Sequence, residues 1–120
     1  MPSMSSPRRG NIVRVRFDPT EGSEQAGTRP ALVISAELVN EYSPVILVAG
    51  ITSRKTDRVY SFEALIEPPD GGLTVTSKVS LIQVRGIDKR RVIGYYGQVG
   101  EATMARIESA LRIATGLTQV

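Results

Sequence analysis

A chain of 120 residues is long enough for one hydrophobic core and too short for two. Its apolar content of 41% includes no run near the roughly 18–20 residues of a membrane-spanning helix, and the complete lack of cysteine and histidine excludes disulfides, thiol nucleophiles, imidazole acid–base pairs and Cys/His zinc sites. The net charge of +3 comes from 12 arginines and 3 lysines against 12 acids, and arginine suits bidentate phosphate contacts, so a polyanionic partner is indicated.

The start of the chain is rich in serine and proline and lacks the apolar segment of a signal peptide. We therefore expect a disordered leader over residues 1–7, a single domain over residues 8–117 and a cytoplasmic protein. The acidic residues are scattered, without a D-x-D pair or a calcium-loop pattern, which favours a site with no metal and no cofactor over one that holds a hard cation such as magnesium.

Strand patterns dominate the chain up to about residue 99. Residues 11–17 alternate apolar side chains with arginines, which predicts a strand with one buried and one basic face. Residues 18–19 are Asp-Pro and end this strand, and residues 20–28 form a polar loop with two glycines. Pro30 then opens residues 31–34, a run apolar enough for a central strand covered on both faces.

The middle of the chain combines a short helical pattern with a second apolar run. Residues 37–42 fit one helical turn, which ends at Ser43-Pro44. The second run, residues 45–49, is predicted to be a buried strand that continues through Ile51. Thr52 therefore lies where a core strand reaches the surface.

The remaining strand signals are shorter and separated by turns. Residues 62–66 predict a short strand, residues 67–72 contain a Pro-Pro-Asp-Gly-Gly turn, residues 77–84 alternate like a half-buried strand, and residues 91–99 close the sheet.

The end of the chain predicts an amphipathic helix over residues 101–115 that ends at Gly116. Its apolar stripe recurs at helical spacing and comprises Met104, Ile107, Leu111 and Ala114. Several short strands followed by one terminal helix indicate a mostly β fold, namely a small SH3-like β-barrel with a C-terminal α-helix.

Arg29 stands out chemically because it directly precedes a proline at the mouth of a buried strand. The proline restricts the backbone of Arg29 to extended conformations. A fixed guanidinium beside a glycine-containing loop is suited to holding a phosphate and stabilising its developing charge. Taken alone, Arg29 is more typical of an ordinary salt-bridge partner.

Three ordered segments resemble the motifs of the MazF (PemK) family of toxin endoribonucleases. The first is residues 17–33, with Gly-Ser-Glu-Gln-Ala-Gly-Thr-Arg-Pro at residues 22–30. The second is Ile51-Thr52-Ser53, and the third is residues 77–85 followed by Asp88-Lys89. The likeness implies the MazF/CcdB type of SH3-like barrel, a homodimer, and cleavage of single-stranded RNA at short sequences.

The resemblance also implies site residues. Carried over by position, Arg29 and Thr52 are the catalytic pair, and Gln83 and Arg85 line the RNA groove. Glu24, in the same loop as Arg29, is the candidate proton acceptor. The further RNA-binding candidates are polar or basic neighbours of these motifs, namely Gln25, Thr28, Ser53, Arg54, Lys55 and Lys78.

A metal-free mechanism fits this inventory if the substrate's own 2′-hydroxyl attacks the adjacent phosphorus, which leaves a 2′,3′-cyclic phosphate and a 5′-hydroxyl end. The resemblance implies a toxin of a type II toxin-antitoxin system that cuts mRNA and is silenced by a cognate antitoxin with an acidic, disordered tail. Two alternatives remain open. One is a non-enzymatic, protein-binding toxin on the same fold, resembling CcdB, and the other is a passive nucleic-acid-binding barrel that uses its basic clusters alone.

Overall fold

The computed structural model describes residues 6–17 and 27–119. Within these stretches lie the strands β1 (Asn11–Arg16), β2 (Thr28–Val33), β3 (Val45–Thr52), β4 (Glu63–Ile66), β5 (Ser77–Asp88) and β6 (Val92–Gln98), and the helices α1 (Glu37–Tyr42) and α2 (Glu101–Ala114). Short 3-10 turns occur at Asp70–Gly72 and Lys89–Arg91. None of the helices found in the described residues has the length and apolar character needed to span a membrane.

The six strands form one antiparallel sheet in the order β4-β5-β3-β2-β1-β6, which curls into a half-barrel. Successive side chains of a strand point to opposite faces, and both faces carry an apolar cluster. The helix-side cluster, packed against α2, includes Ile12, Leu32, Ala49, Ile51, Ile66, Val79 and Ile107. The groove-side cluster, on the other face, comprises Val13, Val15, Ala31, Val33, Ile46, Val48 and Ile87, with Phe17 and Val92 at its margin.

Several sequence predictions are confirmed by these elements. Residues 31–34 are buried on both faces, as a doubly covered central strand requires. Helix α1 occupies the predicted residues, and strands β1, β4 and β6 lie within one or two residues of the predicted ranges. Of the leader predicted over residues 1–7, only Ser6 and Pro7 are described, and Pro7 is buried.

Helix α2 also follows its sequence pattern. Ile107 is fully buried against the sheet, and Met104, Leu111 and Ala114 pack beside it. The helix ends at Ala114, and Gly116 follows with a φ of 79°, a left-handed conformation that favours glycine. At the other end, the Asp70 carboxylate accepts hydrogen bonds from the Gly100 N–H at 2.8 Å and from the Thr103 hydroxyl, so it anchors the first turn of α2 to the 3-10 turn.

Two strand predictions are wrong in detail. Val45 and Leu47 were expected in a buried run, but they are 46% and 43% exposed, because the face of β3 that they share is not covered near its start. Strand β5 was expected to stop at Val84, yet it continues to Asp88 because an irregularity in its pairing with β3 absorbs the break in alternation.

Candidate active-site groove

A groove with a volume of about 630 Å³ opens on the groove-side face, where β2 and β3 reach the end of the sheet. Its walls come from four strands and the residue that follows β1. The lining residues are Phe17, Arg29, Pro30, Val48, Gly50, Ile51, Thr52, Glu63, Ser80, Ile82, Gln83 and Arg85. The groove therefore contains four residues that the sequence singled out, namely Arg29, Thr52, Gln83 and Arg85.

Strand register places Arg29 and Thr52 together. The β2–β3 ladder ends at the pair of Ala31 and Gly50. Two residues further along each strand, and therefore on the same face, lie Arg29 and Thr52. In the β1–β2 ladder the partner of Arg29 is Val15, a member of the groove-side cluster, which confirms the face. Two residues that are distant in sequence thus line the same groove.

The two side chains present complementary chemistry. The Arg29 side chain is exposed, and within residues 6–17 and 27–119 its guanidinium has no hydrogen-bond or ion-pair partner. The Thr52 Oγ1 accepts the Arg54 backbone N–H at 3.1 Å. A hydroxyl has one proton and two lone pairs, so Thr52 still has its proton to donate. Together they offer a permanent positive charge and a hydrogen-bond donor to a bound phosphate.

A bulge in β5 brings Gln83 to the groove. Gly50 of β3 pairs with Ser80, whereas the preceding β3 residue pairs with Val84, so residues 81–83 are extra on the β5 side. A Cβ built on Gly50 would lie 3.5 Å from the Cβ of Gln83. The absence of a side chain at Gly50 therefore leaves the groove open beside Gln83, and a bulky residue there would fill this space.

Arg85 is the second arginine of the groove. It pairs with Val48 across the β3–β5 ladder, and its guanidinium carbon lies 4.9 Å from the centroid of the Phe17 ring. Stacking on an aromatic face restrains the guanidinium while leaving its N–H groups free to point at an anion. Phe17 therefore orients Arg85 at the edge of the groove.

The groove has a net positive charge in the part of the chain that the structure describes. Its ionisable lining residues are Arg29, Arg85 and Glu63. The Glu63 carboxylate lies 3.0 Å from the Lys78 ammonium, in a pair whose side chains are 10% and 8% exposed. Because Lys78 neutralises Glu63, the two arginines dominate the field at the groove, and such a field attracts a polyanion.

The other predicted site residues lie elsewhere or are not described. Glu24 and Gln25 lie outside the described residues. Thr28, next to Arg29 in β2, belongs to the opposite face of the strand. Ser53 lines a separate cavity of about 300 Å³ on the helix side of the sheet, together with Tyr96.

Arg54 and Lys55 are exposed in the loop after β3, and Lys55 lines a cavity of about 530 Å³ that adjoins the groove at Glu63. Lys78 is buried and its ammonium is paired with Glu63, and its contact with RNA stays a prediction. Arg54, Lys55 and Lys78 are thus near the groove but are not among the residues that line it.

Sequence reasoning missed Phe17 and Glu63 as groove residues. Phe17 was expected on the buried face of β1, and it is half-buried with its ring facing Arg85. Glu63 had no motif to mark it. The available signal was its strand pattern, since Glu63 shares a face with Leu65 and not with the buried Ala64 and Ile66.

Comparison with known proteins adds a family and a fold. A family model described as a PemK-like, MazF-like toxin of type II toxin-antitoxin systems matches residues 8–115. Among solved structures, the chain is similar to an endoribonuclease from a mycobacterial species in complex with its cognate antitoxin, with 26% identity, a TM-score of 0.77, and coverage of 95% of this chain and 99% of that one. It is also similar to MazF from Deinococcus radiodurans, with 28% identity, a TM-score of 0.73, and coverage of 92% and 97%.

A further mycobacterial endoribonuclease matches at 25% identity with a TM-score of 0.74, covering 96% of each chain. The coverage of these relatives is nearly complete in both directions, so the likeness concerns whole domains and not a shared fragment.

Proposed function

Because the chain belongs to the PemK-like, MazF-like family of toxins of type II toxin-antitoxin systems, we propose that it is a metal-independent, sequence-specific endoribonuclease that cuts single-stranded RNA. One observation carries this proposal, namely that Arg29 and Thr52 meet in a positively charged groove with Gln83 and Arg85 on its wall. Relatives with the same fold that are endoribonucleases support the reaction class. The groove supplies the features that a phosphate-binding site needs.

The proposed reaction uses a nucleophile that belongs to the substrate. The 2′-hydroxyl oxygen attacks the adjacent phosphorus, and the bond between phosphorus and the 5′ oxygen breaks as the new bond forms. The products are a 2′,3′-cyclic phosphate and a 5′-hydroxyl end. DNA lacks the 2′-hydroxyl, so this chemistry is selective for RNA.

Arg29 and Thr52 act on the phosphoryl group as it gains negative charge. The Arg29 guanidinium neutralises the charge on the non-bridging oxygens, and the Thr52 hydroxyl donates a hydrogen bond to one of them. Their positions on neighbouring strands put both groups on the wall of the same groove. Gln83 and Arg85 contact the neighbouring nucleotides along the groove wall.

Two protons move in this reaction. A guanidinium stays protonated throughout the physiological range, so Arg29 is not the base. We assign acceptance of the 2′-hydroxyl proton to Glu24, which lies outside the described residues. Arg29 hydrogen-bonds the departing 5′ oxygen, which takes its proton from water.

The same groove provides a place for inhibition. A mycobacterial relative is an endoribonuclease in complex with its cognate antitoxin. We propose that this chain forms a homodimer and that a cognate antitoxin covers the groove with an acidic, disordered tail whose carboxylates pair with Arg29 and Arg85. Such a tail competes directly with RNA.

The test is cleavage of labelled single-stranded RNA of varied sequence by the purified protein in EDTA. We expect cuts at one short sequence, with 5′-hydroxyl ends that a polynucleotide kinase can label and cyclic phosphate ends identified by mass spectrometry. A matched RNA with a 2′-deoxy substitution at the mapped site should stay intact.

Three results would count against the proposal. A strict requirement for added magnesium contradicts metal independence, and cleavage at the 2′-deoxy site contradicts the nucleophile. Failure to cut any RNA, with a folded protein, favours the CcdB-like binding toxin instead.

A further inference from the structure

A buried ion pair lies beneath one side of the groove. The Lys78 Nζ and the Glu63 Oε1 are 3.0 Å apart, and their side chains are 8% and 10% exposed. Lys78 is opposite Thr52 in the β3–β5 ladder and opposite Leu65 in the β4–β5 ladder, so it belongs to the groove face of the sheet. Lysine is among the residues least often buried, which makes this position unusual for a lysine.

Both partners of the ion pair also hold the same loop. We call residues 53–62, which connect β3 to β4, the basic loop. The Lys78 Nζ donates a hydrogen bond to the Arg58 carbonyl at 2.8 Å, and the Glu63 Oε1 accepts the Tyr60 N–H at 3.0 Å. The ammonium and the carboxylate thus bind backbone groups of the loop two residues apart.

Side-chain packing reinforces this attachment. The Tyr60 ring is stacked on Phe62 with a centroid distance of 5.5 Å, and the Lys78 Nζ lies 6.0 Å from the centroid of Tyr60. The Tyr60 hydroxyl accepts a hydrogen bond from the Arg58 guanidinium at 3.0 Å. The returning half of the basic loop is therefore fixed to β5 through Lys78.

The basic loop begins and ends at the groove. It follows Thr52 and precedes Glu63, and both of these residues line the groove. Arg54, Lys55 and Arg58 are exposed on the loop. Moving the loop would displace these three charges relative to the scissile phosphate that Thr52 contacts in the proposed function.

We propose that Lys78 is a positioning residue, which acts through Glu63 and the Arg58 carbonyl to hold the cations of the basic loop beside Thr52 for contact with the RNA backbone. This inference rests on the proposed endoribonuclease function. Lys78 does not contact RNA itself, because reaching the groove would break the ion pair and leave the Glu63 carboxylate buried without its partner.

The energetics of buried ion pairs support a geometric role. The cost of desolvating two charges offsets much of their attraction, so such a pair adds little net stability compared with apolar residues of similar shape. Its directional bonds nevertheless fix the Arg58 carbonyl and the Tyr60 N–H at defined places. The ion pair therefore serves to position the basic loop more than to stabilise the fold.

The test compares two purified variants with the wild-type protein. Lys78→Met alone leaves Glu63 unpaired and risks misfolding, so the main variant is the double substitution Lys78→Met with Glu63→Gln, which removes both charges and keeps an oxygen for the Tyr60 N–H. The matched control is Lys89→Met. Lys89 makes a similar bond, from its Nζ to the Asn40 carbonyl at 2.7 Å, at the end of α1 and outside the groove lining.

Each variant is measured by steady-state RNA cleavage, thermal unfolding and backbone hydrogen exchange. In the double variant we expect KM to rise on the order of tenfold, because the loss of one charge-assisted hydrogen bond to the RNA weakens binding by about that factor. The value of kcat should stay within about twofold of wild type. Amides of residues 58–60 should exchange faster, while those of the central strands stay protected. Lys89→Met should change neither KM nor exchange in the basic loop.

The outcomes separate the inference from the function beneath it. A folded double variant with wild-type KM overturns the inference, whether or not the loop exchanges faster. An equal rise in KM in Lys89→Met also overturns it, because the effect would then be general loosening. If the wild-type protein cuts no RNA, both the proposed function and the inference fail. If the wild-type protein cuts RNA and only the expected rise in KM of the double variant is missing, the inference fails and the proposed function stands.

Discussion

The two faces of the sheet use polar groups in different ways. On the helix side, polar contacts attach α2 to the rest of the fold, since Arg9 pairs with Glu108 at 2.7 Å and Asp70 accepts the Gly100 N–H. On the groove side, Lys78 pairs with Glu63, whereas Arg29 has no partner within the described residues and Arg85 stacks on the ring of Phe17. A cation with no anion among the described residues suits a ligand-binding surface. We therefore expect substitutions on the helix side to change mainly stability and substitutions in the groove to change mainly RNA cleavage.

The largest effect is expected on the helix side, from Ile107→Ala. This side chain is fully buried, so its truncation should lower the free energy of unfolding by about 2–5 kcal/mol. Urea titration at a fixed protein concentration measures the change. RNA cleavage by the folded variant at low temperature should match the wild type, and a parallel loss of rate under conditions where the protein stays folded would show that the faces are coupled.

On the groove side, Arg29→Ala and Thr52→Val should have the converse effect. In the proposed function each removes a group that contacts the phosphoryl oxygens, so kcat/KM should fall on the order of 10²-fold. The free energy of unfolding should change by less than about 0.5 kcal/mol for Arg29→Ala and by about 0.5–1.5 kcal/mol for Thr52→Val, which loses the bond from the Arg54 N–H. Single-turnover cleavage and urea titration measure the two quantities.

Two further variants make this prediction specific. Thr52→Ser keeps the hydroxyl and should retain most of the activity, and Arg112→Ala, at an exposed position near the end of α2, controls for loss of positive charge. Near-normal cleavage by either groove variant would remove that residue from the proposed site.

A smaller loss of stability is expected from Asp70→Ala. The substitution removes the acceptor for the Gly100 N–H and the Thr103 hydroxyl at the start of α2, and loss of such a cap costs about 0.5–2 kcal/mol. Thermal unfolding measures it. Asp70→Asn, which keeps one oxygen acceptor, should recover part of the loss, and a lowered cleavage rate would contradict the separation of the two faces.

The smallest effect concerns acid stability at the end of β5. Hydrogen bonds from the side chain and then from the backbone N–H of Arg90 lower the pKa of Asp88 from its usual 3.8 to about 2. A carboxyl group whose pKa is lower in the folded state stabilises the folded protein at pH values above its unfolded-state pKa. This stabilisation is lost as the pH falls toward 2. The difference in stability between wild type and Asp88→Asn should therefore shrink between pH 4 and pH 2, and a constant difference across that range would contradict it.

The sequence predicted the local structure well where the pattern and the burial agree. Period-two alternation placed β1, and helical spacing placed α2 with its end at Gly116. It erred at Leu47, since an apolar residue in a strand carries no information on whether another element will cover it. The burial of Lys78 could not be predicted either, because it depends on the position of Glu63, which lies on another strand.

What the sequence by itself determined is the set of elements and the residues with the chemistry for a phosphate site, since alternation, helical spacing and the motif around Arg29 are all local. What only the tertiary structure decided is which of those residues meet. The pairing of Ala31 with Gly50 brings Arg29 to Thr52, and the bulge in β5 brings Gln83 to the groove. Register depends on contacts between distant strands, and a shift of one residue would move each side chain to the other face of the sheet.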